Sequence, residues 1–187
     1  MDSAKPGGNL DDRELVARAR TGDRDAFGLL VTRYQKMVFA LAHRMTGSSA
    51  EADDVLQTCF LNAYRQIHAF RGEASFKTWL YGIALNECRL LHRRSARLVA
   101  LEAAPDPVAP SVGVHALDRM VLRKLVARLP EKQRAALILR VCDDLPFREI
   151  GELIDCSEVA AKVNYFHAVK KLRGWIVPEA ETEGSAS

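Results

Sequence analysis

The chain has 187 residues, of which 48% are hydrophobic and 27% charged, with a formal net charge of +3. That balance fits a globular chain of one or two small domains and excludes an intrinsically disordered one. No apolar run approaches the roughly 20 residues of a membrane-spanning helix, and Met1 to Asn9 lacks the apolar core of a signal peptide, so a soluble cytoplasmic protein is expected.

In chain order, residues 1–10 are polar and read as a disordered N-terminus. Asp11 or Asp12 can cap a short helix through Arg20, stopped near Gly22. A second helix starts at Asp23 and carries Phe27, Leu30, Val31, Tyr34, Val38 and Leu41 at helical spacing, ending at Gly47. Ser48 and Glu51 form a capping-box pattern for a third, whose apolar stripe is Ala52, Val55, Leu56, Cys59, Ala63 and Ile67. After the polar connection Arg71-Gly72-Glu73, Ser75 can cap a fourth helix reaching about Arg94. These elements make one helical unit over residues 11–95.

Residues 96–116 read as a linker, because Pro105, Pro107 and Pro110 stand close together and proline removes amide donors while restricting its predecessor. A second unit over residues 117–175 holds four more helices. Ala116 to Leu129 is amphipathic; Pro130 suits the first turn of a helix to about Val141; Pro146 opens a short helix through Ile154. Asp155-Cys156 makes a tight turn, and Ser157 caps the last helix. No segment alternates with a two-residue period for long enough to be a strand, so the fold class is all-α. Residues 176–187 form an acidic tail carrying Glu179, Glu181 and Glu183.

The final helix pair has helix-turn-helix spacing. Ala161, Tyr165, Ala168 and Leu172 share one face that can pack on Phe147, Ile150 and Leu153. The remaining surface presents Lys162, Val163, Asn164, Phe166, His167, Lys170 and Lys171, with Arg148 and Ser157 beside it, where amines and amides could reach phosphates or base edges. An ordinary helical hairpin with a solvated charged face fits the same pattern.

Two segments of the first unit stand apart. Asp53, Asp54 and Gln57 fall off the apolar stripe and could dock a basic partner, or simply face solvent. The stretch Phe70 to Tyr81 mixes aromatics with Arg71 and Lys77 in and beside a loop, a combination suited to single-stranded nucleic acid. Asn86, Arg89, Arg93 and Arg94 extend that surface, although Phe76, Trp79 and Leu80 also suit a core.

Catalytic chemistry finds no support. The sequence lacks a Walker loop, H-E-x-x-H, G-x-S-x-G and G-x-G-x-x-G, and its histidines are scattered. Cys59, Cys88, Cys142 and Cys156 show no C-x-x-C spacing and read as buried apolar side chains rather than a zinc site or disulfide framework. No catalytic residue, metal or cofactor is expected.

The order Asp53-Asp54-Val55-Leu56-Gln57, Phe70-Arg71-Gly72-Glu73, Trp79-Leu80-Tyr81 with Ile83 and Asn86, a Pro-rich linker, Leu129-Pro130-Glu131 and Arg148-Glu149-Ile150-Gly151-Glu152 resembles the extracytoplasmic-function group of bacterial sigma factors. The resemblance covers roughly residues 12–95 and 117–173. It implies sigma region 2 and region 4, a protein that binds core RNA polymerase at the largest-subunit clamp and the flap region, and promoter DNA as a second partner. It implies that Asp53, Asp54, Gln57 and Phe60 dock on the clamp. Phe70, Arg71, Phe76, Lys77, Trp79, Asn86, Arg93 and Arg94 would bind and melt the minus-ten element, holding a flipped base. Arg148, Ser157, Lys162, Val163, Asn164, Phe166, His167, Lys170 and Lys171 would read the minus-thirty-five element. It further implies an anti-sigma factor as regulator and no small-molecule substrate.

Two departures from the family pattern bear on these expectations. Thr58 stands where an acidic residue is usual, and Asn164, His167 and Val169 replace arginines of the last helix. Fewer phosphate contacts should lower affinity and flatten its salt dependence. A stand-alone helix-turn-helix regulator is the alternative reading; such proteins usually dimerise on half-sites, and no dimerisation helix is evident here.

Overall fold

A computed structural model describes residues 10–99 and 119–176. Residues 1–9 of the expected 1–10 tail, most of the linker and nearly all of the acidic C-terminus lie outside the described residues. Within them the chain forms eight α-helices and no strand: α1 (Asp12–Arg20), α2 (Arg24–Thr46), α3 (Ser49–Gln66), α4 (Phe76–Val99), α5 (Arg119–Ala127), α6 (Glu131–Asp143), α7 (Phe147–Leu153) and α8 (Glu158–Ile176).

The helix starts are built by side chains that accept the otherwise orphaned first-turn amides. Asp11 accepts from the Glu14 amide at 2.8 Å, Asp23 from Ala26 at 3.0 Å, and Ser75 from Thr78 at 3.0 Å. Ser48 accepts from Glu51 at 3.4 Å and Ser157 from Ala160 at 3.1 Å. Gly47 closes α2 in the left-handed region, φ 78°, where a side chain would be strained. Two details differ from the sequence expectation. Ile67 leaves the third helix for a one-turn 3-10 helix, Ile67–Ala69. The fourth helix runs on to Val99 instead of stopping near Arg94, because nothing between Ser95 and Val99 breaks it.

α1 to α4 pack around Leu15, Leu30, Val38, Leu41, Ala52, Val55, Ala63, Leu80 and Leu85, all essentially inaccessible to water. Each buried leucine of this kind contributes roughly 2 kcal/mol relative to exposure. The same core continues through Ile138, Leu139, Ile150 and Ile154 of α6, α7 and the turn beyond. The two helical units therefore share one apolar interior. A smaller cluster, Leu125, Leu129, Ala168 and Leu172, ties α5 to α8.

Polar groups stitch the same junction. Tyr81 of α4 donates to Asp143 at 2.6 Å, Arg89 of α4 to Glu131 at 2.7 Å, and Thr78 to Glu149 at 3.2 Å. Arg134 of α6 is buried and donates to the carbonyls of Met45, Ala127 and Leu129. Burial is the first cause holding its guanidinium below the ordinary arginine range.

Candidate functional site

Three surfaces gather the residues singled out from the sequence. The first lies on α3. Ala52, Val55 and Cys59 turn inward, so Asp53, Asp54, Gln57 and Thr58 are left exposed on the far side of the helix. Leu61 and Tyr64 continue that exposed face, and Tyr64 stacks edge-on against Phe27 at 5.0 Å. Phe60, expected on this surface, is buried and stands behind it.

The second surface is a cleft of about 610 Å³ between α1 and the loop before α4. Phe70, Phe76 and Trp79 pack together with ring centroids 5.0 to 6.1 Å apart. Phe70 and Phe76 are buried, so they set the shape of the loop and line the cleft with little exposed surface; Trp79 is half-buried. Arg71 projects from the loop and is 83% exposed. Lys77 is half-buried with its ammonium over the Tyr81 ring, while Asn86, Arg93 and Arg94 are exposed farther along α4.

Sequence reasoning missed the other wall of this cleft. Asp12, Arg13 and Arg20 of α1 line it opposite Arg71 and Glu73. Asp12 bonds Arg33 and the Tyr34 hydroxyl, which fixes α1 against α2. The only sequence signal was the basic residues on the polar side of a short capped helix, which nothing linked to a loop some fifty residues away.

The third surface is the helix-turn-helix. Gly151 is needed there, because a methyl group at its Cα would sit 2.7 Å from the Cys156 carbonyl oxygen. That approach, with Asp155 in the left-handed region at φ 54°, makes the turn between α7 and α8 tight. Ala161, Ala168 and Leu172 are buried, and Tyr165 stacks on Phe147 at 5.6 Å. Lys162, Val163, Phe166, His167, Lys170 and Lys171 are exposed on the opposite side. Ser157 spends its hydroxyl on the helix cap, Asn164 donates back to Ala160 at 2.9 Å, and Arg148 pairs with Glu152 at 3.5 Å.

Between the units runs an apolar groove of about 370 Å³, lined by Leu122, Val126, Leu137, Val141 and Leu172 with His43, Arg44 and Arg123 among its lining residues. Among the described residues no group of His, Cys, Asp and Glu is arranged to hold a metal ion, and no helix is long and apolar enough to cross a membrane.

Comparison with known proteins identifies the family. Residues 30–98 match the family Sigma-70 region 2, and residues 119–172 match Sigma-70, region 4. The chain is 34% identical over 184 residues to the ECF RNA polymerase sigma-E factor of Haemophilus influenzae, covering 90% of this chain and 97% of the relative. It resembles the solved structure of CnrH in complex with the cytosolic domain of CnrY, with TM-score 0.67, 27% identity, and 90% and 99% of the two chains covered. It shares the fold of the sigma factor RpoE from Bartonella quintana, solved in complex with the anti-sigma factor NepR, with TM-score 0.68, 20% identity, and 82% and 98% covered. The α3 face and the loop wall of the cleft fall within the region 2 match and the helix-turn-helix within the region 4 match, and the chain belongs to the extracytoplasmic-function group of the sigma-70 family.

Proposed function

We propose that the chain binds core RNA polymerase and directs it to a discrete set of promoters, acting by binding alone. The observation that carries this reading is the coexistence of three surfaces in one chain: the acidic face of α3, the cleft beside the loop before α4, and the exposed side of α8. Each suits a different part of the task.

Asp53, Asp54 and Gln57 offer carboxylates and an amide on a rigid helix to a basic partner surface, the polymerase clamp. Phe60 supports that helix from within. The cleft between α1 and Arg71 is large enough for one extruded base, and Arg13, Arg20 and Arg71 supply positive charge for the strand that carries it. Lys77, Trp79, Asn86, Arg93 and Arg94 would continue that track along α4. Extruding a base costs a few kcal/mol of stacking and pairing, which its capture in a pocket offsets. The helix-turn-helix would read the upstream element in duplex form.

An anti-sigma factor is the proposed regulator, and the apolar groove between the units is where its helix would lie. A protein that works on polymerase and promoter is placed in the cytoplasm.

The experiment is a binding measurement between the full chain and core polymerase at low salt. The native protein should bind, and the double variant Asp54→Ala, Gln57→Ala should bind about tenfold more weakly or worse. Failure of the native protein to bind any polymerase subunit would overturn the reading.

A further inference from the structure

The exposed side of α8 carries an unusual feature. Val159, Val163 and Phe166 are 72%, 45% and 54% exposed. Their spacing of four and three residues puts them on one line of the helix, diametrically opposite the buried Ala161, Ala168 and Leu172. Lys162 and His167 flank that line, and Lys170 continues it. Three large apolar side chains in a row, bordered by lysines, disfavour solvent and suit a polyanion whose surface has apolar spots.

Two hydrogen-bonding side chains near the turn are already occupied, and a third forms only an exposed ion pair. Asn164 donates to Ala160, Ser157 caps the helix, and Arg148 pairs with Glu152. In the major groove, the apolar group a base pair presents is the thymine C5-methyl, and side chains near the start of a recognition helix meet base edges.

We propose that α8 selects its duplex through thymine methyl groups, with Val159, Val163 and Phe166 packing on the methyls of neighbouring thymines while Lys162 and Lys170 hold the flanking phosphates. This rests on the reading that α7 and α8 engage promoter DNA. The upstream element is accordingly thymine-containing on the face that α8 reads, and its recognition depends on methyl contact more than on guanine-directed hydrogen bonds.

The test uses the full chain assembled with core polymerase. Promoter fragments are selected from a random-sequence pool, then synthesised with either thymidine or deoxyuridine at the thymines of the upstream element. Deoxyuridine keeps the base pair and the O4 acceptor and removes only the methyl. Binding should fall about fourfold for each methyl lost from the contacted positions. Val163→Ser should weaken binding to the thymidine fragment and reduce its preference over the deoxyuridine one.

Equal affinity of the native holoenzyme for the two fragments would overturn the proposal. So would a Val163→Ser holoenzyme that keeps the full native preference for thymidine, since the stripe would then not meet the methyl groups. A holoenzyme that starts transcription but leaves no footprint upstream of the start region would instead remove the reading on which the proposal rests.

Discussion

The Tyr81 hydroxyl on α4 donates to Asp143 at the end of α6 across 2.6 Å, joining side chains 62 residues apart in the sequence. The ring of Tyr81 is fully buried, and the other Asp143 oxygen is buried with no partner among the described residues. Burial first, and the adjacent carboxylate second, hold the Tyr81 phenol far above its ordinary range, so it remains a donor throughout the neutral region.

Removing that hydroxyl should therefore be costly for its size. Tyr81→Phe keeps the ring and leaves Asp143 without its donor, so the protein should lose about 1.5 kcal/mol of stability. Urea unfolding followed by circular dichroism measures this. An unchanged midpoint would mean that the bond between the units does not form in solution.

Gly151→Ala should destabilise the helix-turn-helix by about 2 kcal/mol, because backbone at Cys156 and Ser157 must move to admit the methyl group. Hydrogen exchange of the α7 and α8 amides would locate the loss. A variant as protected as the native protein would show that the turn is looser than the structure has it.

The four cysteines should react in two classes. Cys59 and Cys88 are buried, and burial pushes each thiol up to about 12. Contrary to the expectation that all four are buried, Cys142 at the end of α6 is exposed and Cys156 half-buried. A thiol reagent at about pH 8 should therefore modify Cys142 first and Cys156 more slowly, leaving Cys59 and Cys88 until the chain is unfolded. Four equal rates would contradict the packing of α3 against α4.

Asp23 provides a pH dependence of known sign. Its carboxylate accepts the Ala26 amide and pairs with Arg18 at 2.7 Å, and these contacts hold it below the ordinary value of 3.8, the amide contributing most. The folded state thus binds this proton more weakly than the unfolded chain does. The contribution is fully present above the unfolded value and is lost as pH falls through the lower folded one. The native protein should melt above Asp23→Ala at neutral pH, and the gap should close on acidification below 3.8. A gap that widened on acidification would contradict the assignment.

Much of the local structure was legible in the sequence because it rests on neighbours. Asp11, Asp23, Ser48, Ser75 and Ser157 each bond an amide three residues on, and apolar spacing identifies the inner face of each helix. The junction between the units was not legible. It depends on Arg134 joining the Ala127 and Leu129 carbonyls just before its own helix to the distant Met45 carbonyl of α2, and an arginine in an amphipathic helix reads as a surface residue. The candidate surfaces divide the same way. Asp53, Asp54 and Gln57 fall outside the α3 stripe, and their exposure follows from it. The burial of Phe60, Phe70 and Phe76 follows from long-range packing that residue type alone does not specify. The α1 wall of the cleft depends on how a loop folds back, which no spacing encodes.

Transcription in vitro tests the central claim most directly. Core RNA polymerase is incubated with genomic DNA of the source bacterium, with and without the full chain, and RNA 5′ ends are mapped. The account predicts a small set of discrete start sites that appear only with the chain, preceded by shared minus-ten and minus-thirty-five sequences. No new start sites, together with a footprint of the isolated chain on palindromic DNA, would contradict it.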